Sequence, residues 1–429
     1  MATDDFDRIR ILFPDTFGFA RGKYVPVEQA TGKLNCSLTI FGIGYDKDLI
    51  PAPGAGVLEG MRDMQAVYDA KSATRSWQDR TGLLIADLLE GGKPLEIAPR
   101  TALRSAVASL AETGYSAQVG IELEAYVLER GTDDNWVPWD TPSAFCYGTG
   151  VTVDPIGLID EIMDAARYSG IQVETAASEY DSPQFELAVH HSDPISAVDN
   201  AFLLRLLCRE KAAEQGLRMT FLGRPLGDRG GSGLHVHLSL QAPDGSNAFY
   251  EPKAHDGLSP TARHAIAGIL AHHEALTALC APTVNAYKRL LPGQLSGYWA
   301  NWGYDHRSVA VRVPSDRGDG TRLESRLADG SANPYLATAA LLQACRLGIE
   351  GELDLPPPEE GDGLEKANTE RCCPENLSMA LDALEADLNL VAALGAPIIS
   401  HFVAMKRAEW ARFSRAVTDW ELNEYLSYH

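Results

Sequence analysis

Several features that mark particular classes of protein are missing from this sequence. No apolar run reaches the roughly 18 residues that a membrane-spanning helix needs, and the acidic start MATDDFDRIR is unlike the basic opening of a signal peptide. The seven cysteines contain no CxxC pair, so we expect reduced and mostly buried thiols. These absences predict a cytoplasmic protein that does not act at a membrane.

Positive charge is also scarce. The 429 residues include 37 lysines and arginines against 59 aspartates and glutamates, which gives a formal net charge of -22. Because an acidic surface repels nucleic acid and anionic lipid, we expect neither as a partner. Apolar residues make up 45% of the chain and charged residues 22%, values typical of a folded enzyme, and the length favours two domains.

Turn residues and apolar spacing divide the chain. The first hundred residues are rich in glycine and proline and contain strand-like runs, ILF at 11–13 and GLLIADLL at 82–89. The run TALRSAVASLAET then has helical spacing, and strand-like and helix-like stretches alternate to about residue 350. ELDLPPPEEGDG at 352–363 predicts an exposed loop before further helical runs. We therefore expect a β-rich domain over 1–100 and a catalytic domain over 101–429 with a C-terminal helical tail.

Five segments predict strands whose polar residues share one face, because residues two apart on a strand point the same way. The segments are GIELEAYVL, QFELAV, GLHVHLSL, SVAVRV and TRLESRLA. Their aligned polar residues are Glu122 and Glu124; Gln184 and Glu186; His235, His237 and Ser239; Ser308 and Arg312; and Arg322, Glu324 and Arg326. One such strand alone is best explained as the solvated face of an antiparallel sheet. Five of them favour a shared polar cavity.

Such a cavity would bring several carboxylates and an imidazole together, and like charges at that spacing do not all stay ionised without cations. Mostly oxygen ligands favour magnesium or manganese over zinc. The nearby arginines suit phosphate or carboxylate groups; they are Arg289, Arg307, Arg312, Arg322 and Arg326. Metal ions and arginines around an acidic cavity are typical of phosphoryl transfer.

At these residues the sequence resembles the glutamine synthetase superfamily. The motifs that carry the resemblance occur in family order: FGFARGKYVP, GIELEAY, SEYDSPQFE, GSGLHVHLS, NAYKRLLPG, HRSVAVRVP and RLESRLADGSANPYLATAALLQA. The resemblance implies an α+β fold, with an N-terminal β-grasp domain and a catalytic domain whose antiparallel strands form a half-barrel. It also implies a homo-oligomer, commonly a dodecamer of two stacked hexamers, with active sites between subunits.

The resemblance further implies a role for each site residue. One metal ion is implied at Glu124, Glu179 and Glu186, and a second at Glu122, His235 and Glu324, with two to three Mg2+ or Mn2+ ions per active site. Contacts to ATP are implied for Glu174, His237, Ser239, Arg307, Arg312 and Arg322. Glutamate is implied to contact Arg289, Arg326 and Gly231, and the implied catalytic groups are Arg307, Glu324 and Arg326.

The sequence departs from true glutamine synthetases at two acids. SLTIFGIGYDKD lacks the DGS pattern of the ammonium site, and Leu295 stands where the family's flap carries a glutamate. An apolar residue cannot bind or deprotonate ammonium. The loss of two acids suits an amine that carries an organic substituent, so the implied product is a γ-glutamylamide. Leu295, Tyr298 and Trp299 are the predicted amine pocket, although aromatic residues at such positions more often pack structurally.

Two further departures concern the amino-acid substrate and regulation. Gly230 replaces the asparagine expected near the glutamate amino group, and Leu353 aligns with the tyrosine that some bacterial relatives adenylylate. The alternatives to a glutamate–amine ligase are a true glutamine synthetase that uses ammonium and a non-catalytic relative. The intact set of predicted metal ligands argues against the last of these.

Overall fold

The computed structural model describes residues 6–141, 144–364 and 366–429. The first eight described strands are β1 Arg8–Pro14, β2 Ala20–Pro26, β3 Lys33–Ser37, β4 Asp63–Val67, β5 Thr74–Arg75, β6 Thr81–Ile85, β7 Asp87–Glu90 and β8 Lys93–Pro94. They form two four-stranded sheets with the orders β2-β1-β6-β5 and β3-β4-β7-β8. Strands β1 and β6 pair in parallel, and the other neighbours in these two sheets are antiparallel.

A nine-stranded sheet follows. Its strands are β9 Ser116–Arg130, β10 Trp136–Pro138, β11 Val173–Ser178, β12 Gln184–Ser192, β13 Arg218–Thr220, β14 Leu234–Gln241, β15 Trp302–Tyr304, β16 Val311–Val313 and β17 Leu323–Ser325. The order is β11-β12-β9-β14-β17-β16-β15, and β10 and β13 also pair with β9. The long strand β9 therefore lies inside the sheet and pairs directly with β10, β12, β13 and β14.

Helices cover the sheet and fill the C-terminal region. Those in the described residues are α1 Pro99–Glu112, α2 Leu158–Tyr168, α3 Pro194–Glu214, α4 Pro260–Ala271, α5 His273–Cys280, α6 Pro334–Glu350, α7 Leu377–Ala386, α8 Leu388–Leu394, α9 Ala396–Phe413 and α10 Asp419–Tyr425. Helices α3, α4 and α6 begin with a proline, and their first backbone N–H groups donate to Asp193, Ser259 and Asn333. These side-chain caps and the proline at the first position fix where each helix starts.

The alternation along β9 places the core on one face and polar side chains on the other. Ile121, Leu123 and Ala125 are at most 1% exposed and belong to the main hydrophobic core, and helices α1 and α3 pack against this strand. The opposite face carries Glu122 and Glu124. The fold is thus α+β with antiparallel-rich sheets, as the sequence predicted.

Two sequence predictions about strands are corrected. GLLIADLL is not one strand: the N–H of Ala86 donates to the Leu12 carbonyl, and the chain passes from β6 in one sheet to β7 in the other. Because both sheets contribute to one hydrophobic core, a single apolar run supplies buried residues to a strand in each sheet. TRLESRLA is strand only over Leu323–Ser325, although the Arg326 N–H still donates to the Ala310 carbonyl in register with the β16 pairing.

Other expectations about the elements are met. The 352–363 segment contains no helix or strand, and the tail that follows it is helical. No helix among the described residues has by itself the length and apolar character of a membrane span. Only α8 and α9 taken together, bent by 110° at their junction, satisfy those two criteria.

Candidate active site

Strand register brings the predicted metal ligands together. In the antiparallel pairs, Glu122 lies opposite His235 of β14, and Glu124 lies opposite Glu186 of β12. Because paired residues point to the same face, the central strand gathers acids and imidazoles from three strands. Glu324 of β17 joins them from beyond β14.

The distances describe one connected cluster. His235 Nδ1 donates to Glu122 Oε2 at 3.2 Å, and His237 Nε2 donates to Glu122 Oε1 at 2.9 Å. His235 Nε2 lies 3.7 Å from Glu124 Oε1, and its Nδ1 lies 3.7 Å from Glu324 Oε1. The Gly233 N–H donates to Glu124 Oε2 at 2.6 Å. These carboxylates and both imidazoles therefore form one connected cluster.

The electrostatics of the cluster call for positive charge. Burial, reinforced by Glu122 and Glu124, raises the pKa of Glu186 to about 9, and burial together with Glu124 raises the pKa of Glu179. Burial also opposes ionisation of Glu122, but hydrogen bonds from the two histidines hold its pKa below the ordinary value. Carboxylates that resist ionisation when crowded are those that a cation would stabilise as anions.

Three groups of side chains in the cluster could hold a cation. Within each group the ligand atoms lie within 4.8 Å of one another; the groups are Glu124, Glu179 and Glu186; Glu122, Glu186 and His235; and Glu122, His237 and Glu324. The first matches the predicted first metal set. The predicted second set is divided between the other two groups: both contain Glu122, but His235 is grouped with Glu186 and Glu324 with His237. Carboxylate-dominated sets fit Mg2+ or Mn2+.

Two arginines bracket the buried carboxylate of Glu324, which is 1% exposed. Arg312 Nη1 donates to Glu324 Oε2 at 2.6 Å, and Arg326 donates to the other oxygen. Although burial opposes ionisation, Arg326 and the nearby histidines lower the pKa of Glu324 to about 2. The Nε of Arg326 is buried and has no partner among the described residues, so one donor is free for a bound molecule.

Arg289 and Gly231 lie side by side. Arg289 is buried, its Nη1 donates to the Leu327 carbonyl and its Nη2 to the Arg326 carbonyl, both at 3.2 Å. Burial lowers the pKa of Arg289, against the attraction of Glu124. A Cβ on Gly231 would meet Arg289 Cγ at 2.6 Å and the Gly223 carbonyl oxygen at 2.7 Å. Only glycine therefore lets the chain pass this close to the aliphatic part of the Arg289 side chain.

A cavity of about 700 Å³ adjoins the cluster on the side of β11 and β12. Four of the six predicted ATP contacts line it, namely Glu174, His237, Ser239 and Arg322. Arg322 Nε donates to His237 Nδ1 at 3.3 Å, which leaves His237 Nε2–H to donate to Glu122. Arg307 and Arg312 are not among the lining residues: Arg307 is exposed, and Arg312 turns to Asp305 and Glu324.

The predicted amine-pocket residues occupy the loop after Arg289. Leu295 is 54% exposed. Tyr298 and Trp299 contact each other edge-on with ring centroids 4.9 Å apart, and Trp299 Nε1 donates to the Leu364 carbonyl at 2.9 Å. None of the three lines the 700 Å³ cavity, and an amine pocket here stays a prediction.

Several cavity residues were missed by the sequence analysis. Gln118 and Gly120 line the cavity from β9, four and two residues before Glu122 on the same face. The strand alternation was a signal that could have found both. Asn247, Asp319 and His191 also line it, but they come from a turn, a short helical turn and the end of β12, where no periodic pattern marks them.

The chain is similar to known proteins over almost its whole length. The family model described as "Glutamine synthetase, catalytic domain" matches residues 96–425. A glutamine synthetase from Pyrococcus horikoshii is 32% identical, covering 97% of this chain and 95% of that protein. The gamma-glutamylethanolamide synthetase GlnA4 of Streptomyces coelicolor is 33% identical, covering 98% and 93%.

A solved structure described as a GmaS/ADP complex has a TM-score of 0.86 to this chain and 32% sequence identity, and the match covers 99% of this chain and 97% of that one. Members of this family are ligases that form C–N bonds with ATP and divalent metal ions, and they use glutamate with an amine or ammonia. The chain belongs to the glutamine synthetase superfamily and is an ATP-dependent ligase of that type.

Proposed function

We propose that this enzyme joins the γ-carboxylate of glutamate to an organic amine and releases ADP and phosphate with a γ-glutamylamide. The observation that carries the proposal is Leu295, an apolar and 54% exposed side chain where glutamine synthetases of the family have a glutamate. An apolar group neither attracts nor deprotonates ammonium, whereas it contacts an alkyl or aryl substituent favourably. The missing DGS pattern before Tyr45 supports the same conclusion.

In this proposal glutamate binds between two arginines. Arg289 would hold the α-carboxylate. Backbone carbonyls fix its guanidinium, and Gly231 leaves room for its side chain. Arg326 would use its unpartnered Nε toward the γ-carboxyl, while its Nη1 stays on Glu324. A planar guanidinium suits this geometry because it offers donors in fixed directions.

ATP would occupy the 700 Å³ cavity, with its phosphates directed toward the acidic cluster. Glu174, Ser239 and Arg322 would contact the nucleotide from the cavity walls. Glu122, Glu124, Glu179, Glu186, His235 and Glu324 would hold two to three Mg2+ or Mn2+ ions. When bound, such ions neutralise charge on the phosphoryl group during transfer.

The proposed reaction has two steps. The γ-carboxylate oxygen attacks the terminal phosphorus of ATP, the bond to ADP breaks, and γ-glutamyl phosphate forms. The amine nitrogen then attacks the acyl carbon, phosphate leaves with the C–O bonding pair, and the nitrogen transfers a proton to the departing phosphate. Arg326, together with Arg307 and Arg312, would offset the negative charge on the phosphoryl group.

A second candidate is a glutamine synthetase that uses ammonium through altered contacts. It is favoured by the several relatives of this chain named glutamine synthetase, including the one from Pyrococcus horikoshii. The two candidates share the first step and differ only in the nucleophile of the second.

Phosphate release by the purified enzyme with ATP, Mg2+ and glutamate tests the proposal. Ammonium is compared with a panel of alkylamines, arylamines, ethanolamine and polyamines. We expect at least one organic amine to give a higher kcat/KM than ammonium. Turnover with ammonium alone would overturn the proposal in favour of the second candidate, and no turnover with any nucleophile would point to another acid substrate or a non-catalytic role.

A substitution on the flap separates the role of Leu295 from a general effect of charge. Leu295→Glu should raise the kcat/KM ratio of ammonium to amine, because it restores an acid at that position. Leu291→Glu is the matched control, since Leu291 is 42% exposed in the same loop. An unchanged ratio in Leu295→Glu, or an equal change in both variants, would refute the flap argument.

We also propose that the chain assembles into rings, as two stacked hexamers. The support is the C-terminal segment, where several apolar side chains are mostly exposed to solvent. Val417 is 73% exposed, Trp420 62%, Leu426 71% and Tyr428 83%. Exposed apolar groups this close together favour contact with another copy.

A further inference from the structure

A second group of potential metal ligands lies outside the acidic cluster, at the rim of the cavity. Glu174, His190 and His191 each offer a ligand atom, and these atoms all lie within 4.8 Å of one another. His190 Nδ1 is 3.7 Å from Glu174 Oε2, and the two imidazole centroids are 4.6 Å apart. All three side chains are exposed, so an ion could reach them from solvent.

Two β-bulges explain why these side chains meet. Consecutive strand residues normally face opposite sides of a sheet. Between Val189 and Ser192, however, β12 advances three residues while β9 advances two, from Ile121 to Val119. The extra residue lets His190 and His191 oppose one position of β9, and a bulge of this kind re-aims its side chains.

The second bulge lies next to the first, on the other side of Val189. Between Val173 and Thr175, β11 advances two residues while β12 advances only one, from Val189 to Ala188. The extra residue there is Glu174. Two neighbouring strands thus interrupt their pairing at the same level of the sheet, and the three residues involved are two imidazoles and a carboxylate.

The ligand chemistry differs from that of the acidic cluster. Two imidazoles and one carboxylate suit Zn2+ and similar transition-metal ions, whereas Mg2+ prefers oxygen ligands alone. Zinc bonds near 2.1 Å in a tetrahedral site place neighbouring ligand atoms ~3.4 Å apart. The 3.7 Å between His190 and Glu174 is close to that value, and the ligand atom of His191 lies within 4.8 Å of both.

We propose that Glu174, His190 and His191 form a binding site for a transition-metal ion such as Zn2+, with water as the fourth ligand. The site is separate from the proposed Mg2+ positions. Glu174 and His191 also line the 700 Å³ cavity. An ion bound here therefore draws Glu174 toward the two imidazoles and away from the nucleotide, a consequence that rests on the proposed function, whereas binding of the ion does not.

Zinc binding by the full-length enzyme in excess Mg2+, without glutamate, ATP or amine, tests the proposal. Equilibrium dialysis should show one more zinc per chain in the wild type than in the variant His190→Ala/His191→Ala. The control His255→Ala/His429→Ala removes two exposed histidines that belong to none of the metal-capable groups of the described residues. It should keep the wild-type stoichiometry.

Each single variant, His190→Ala and His191→Ala, should lower the affinity for this zinc ion by about tenfold or more. Even changes to residues that contact a metal ligand indirectly lower metal affinity by that much. Co2+ provides a second readout, because a tetrahedral site absorbs visible light more strongly than an octahedral one. The tetrahedral absorption should be present in the wild type and absent from the double variant. Equal zinc stoichiometry and equal Co2+ spectra in the wild type and the double variant would overturn the proposal, whether or not the enzyme has ligase activity.

Discussion

At the scale of single residues, Glu324 is the side chain on which the proposed site most depends. It is 1% exposed, accepts from Arg312 and Arg326, and lies 3.7 Å from His235. Glu324→Gln keeps the shape but removes the charge that would hold a metal ion and orient both arginines. We expect kcat to fall by about a hundredfold or more while light scattering shows an unchanged assembly.

Glu350→Gln is the control for this change. Glu350 pairs with Arg346 on the surface of α6, with 44% of its side chain exposed, and its substitution should leave kcat within about twofold because exposed pairs contribute little. Full activity in Glu324→Gln would remove Glu324 from the site.

Gly120 sets the floor of the cavity. A Cβ placed there would lie 3.6 Å from the Cβ atoms of both His191 and His237. The two histidine side chains therefore lie on either side of the space above Gly120. Gly120→Val would fill that space, and we expect it to raise the KM for ATP at least about tenfold, which equals ~1.4 kcal/mol of binding. Gly120→Ala makes only ordinary contacts and should change the KM little. Equal KM values in both variants and the wild type would show that ATP does not lie over Gly120.

The sequence predicted residue types better than contacts. Alternation of polar residues placed Glu122, Glu124 and His235 on shared faces, and register then brought them together. Alternation could not reveal that Arg312 pairs with Asp305 and Glu324, or that Gly120 leaves space between the side chains of His191 and His237. Those facts depend on which strands are neighbours.

At the scale of elements, helix α9 is joined to the N-terminal region through His401. Its Nδ1–H donates to the Pro53 carbonyl at 2.9 Å, and its Nε2 accepts from the Thr16 hydroxyl at 2.8 Å. This pattern requires a neutral ring, and burial lowers the pKa of His401 to about 4 from 6.5. Protonation therefore disfavours the folded state.

The sign of the pH effect follows. The folded pKa lies below the unfolded one, so the free energy of unfolding is unaffected by His401 above pH 6.5 and falls as the pH drops toward 4. The loss is ~3 kcal/mol at most. In His401→Gln, whose amide can make the same two hydrogen bonds, urea-unfolding midpoints should depend less on pH over this interval. Parallel pH profiles for the two proteins would contradict this.

The elements themselves were predicted unevenly. Helix α1 and the long strands β9, β12 and β14 have strong periodicity, and the sequence indicated each. The division of GLLIADLL between two sheets and the bulges at Glu174 and at His190–His191 leave no mark in the pattern of apolar residues. Both are consequences of pairing between distant segments.

At the scale of the whole molecule, the C-terminal segment provides the test of assembly. The double substitution Trp420→Ser/Leu426→Ser removes two of its exposed apolar side chains without shortening the chain. We expect light scattering to show smaller particles than for the wild type, because burial of such side chains stabilises the proposed association. Glu424→Gln, a polar change on the same helix, is the control and should leave the particle mass unchanged. Equal masses for all three proteins would assign the ring contacts to other surfaces.

The sequence identified the family and the α+β class, since its motifs span the chain in order, and the comparisons confirm both. It could not identify the amine. In the proposed function the nucleophile contacts the loop around Leu295, and the shape of a loop leaves no periodic pattern in the sequence.

The most direct test of the central claim is a competition. The enzyme is supplied with ATP, Mg2+ and glutamate, and with ammonium and the best amine of the panel at equal concentrations, and mass spectrometry measures the products. We predict that the γ-glutamylamide of the organic amine exceeds glutamine. Glutamine as the main product would contradict the account and make this chain a glutamine synthetase.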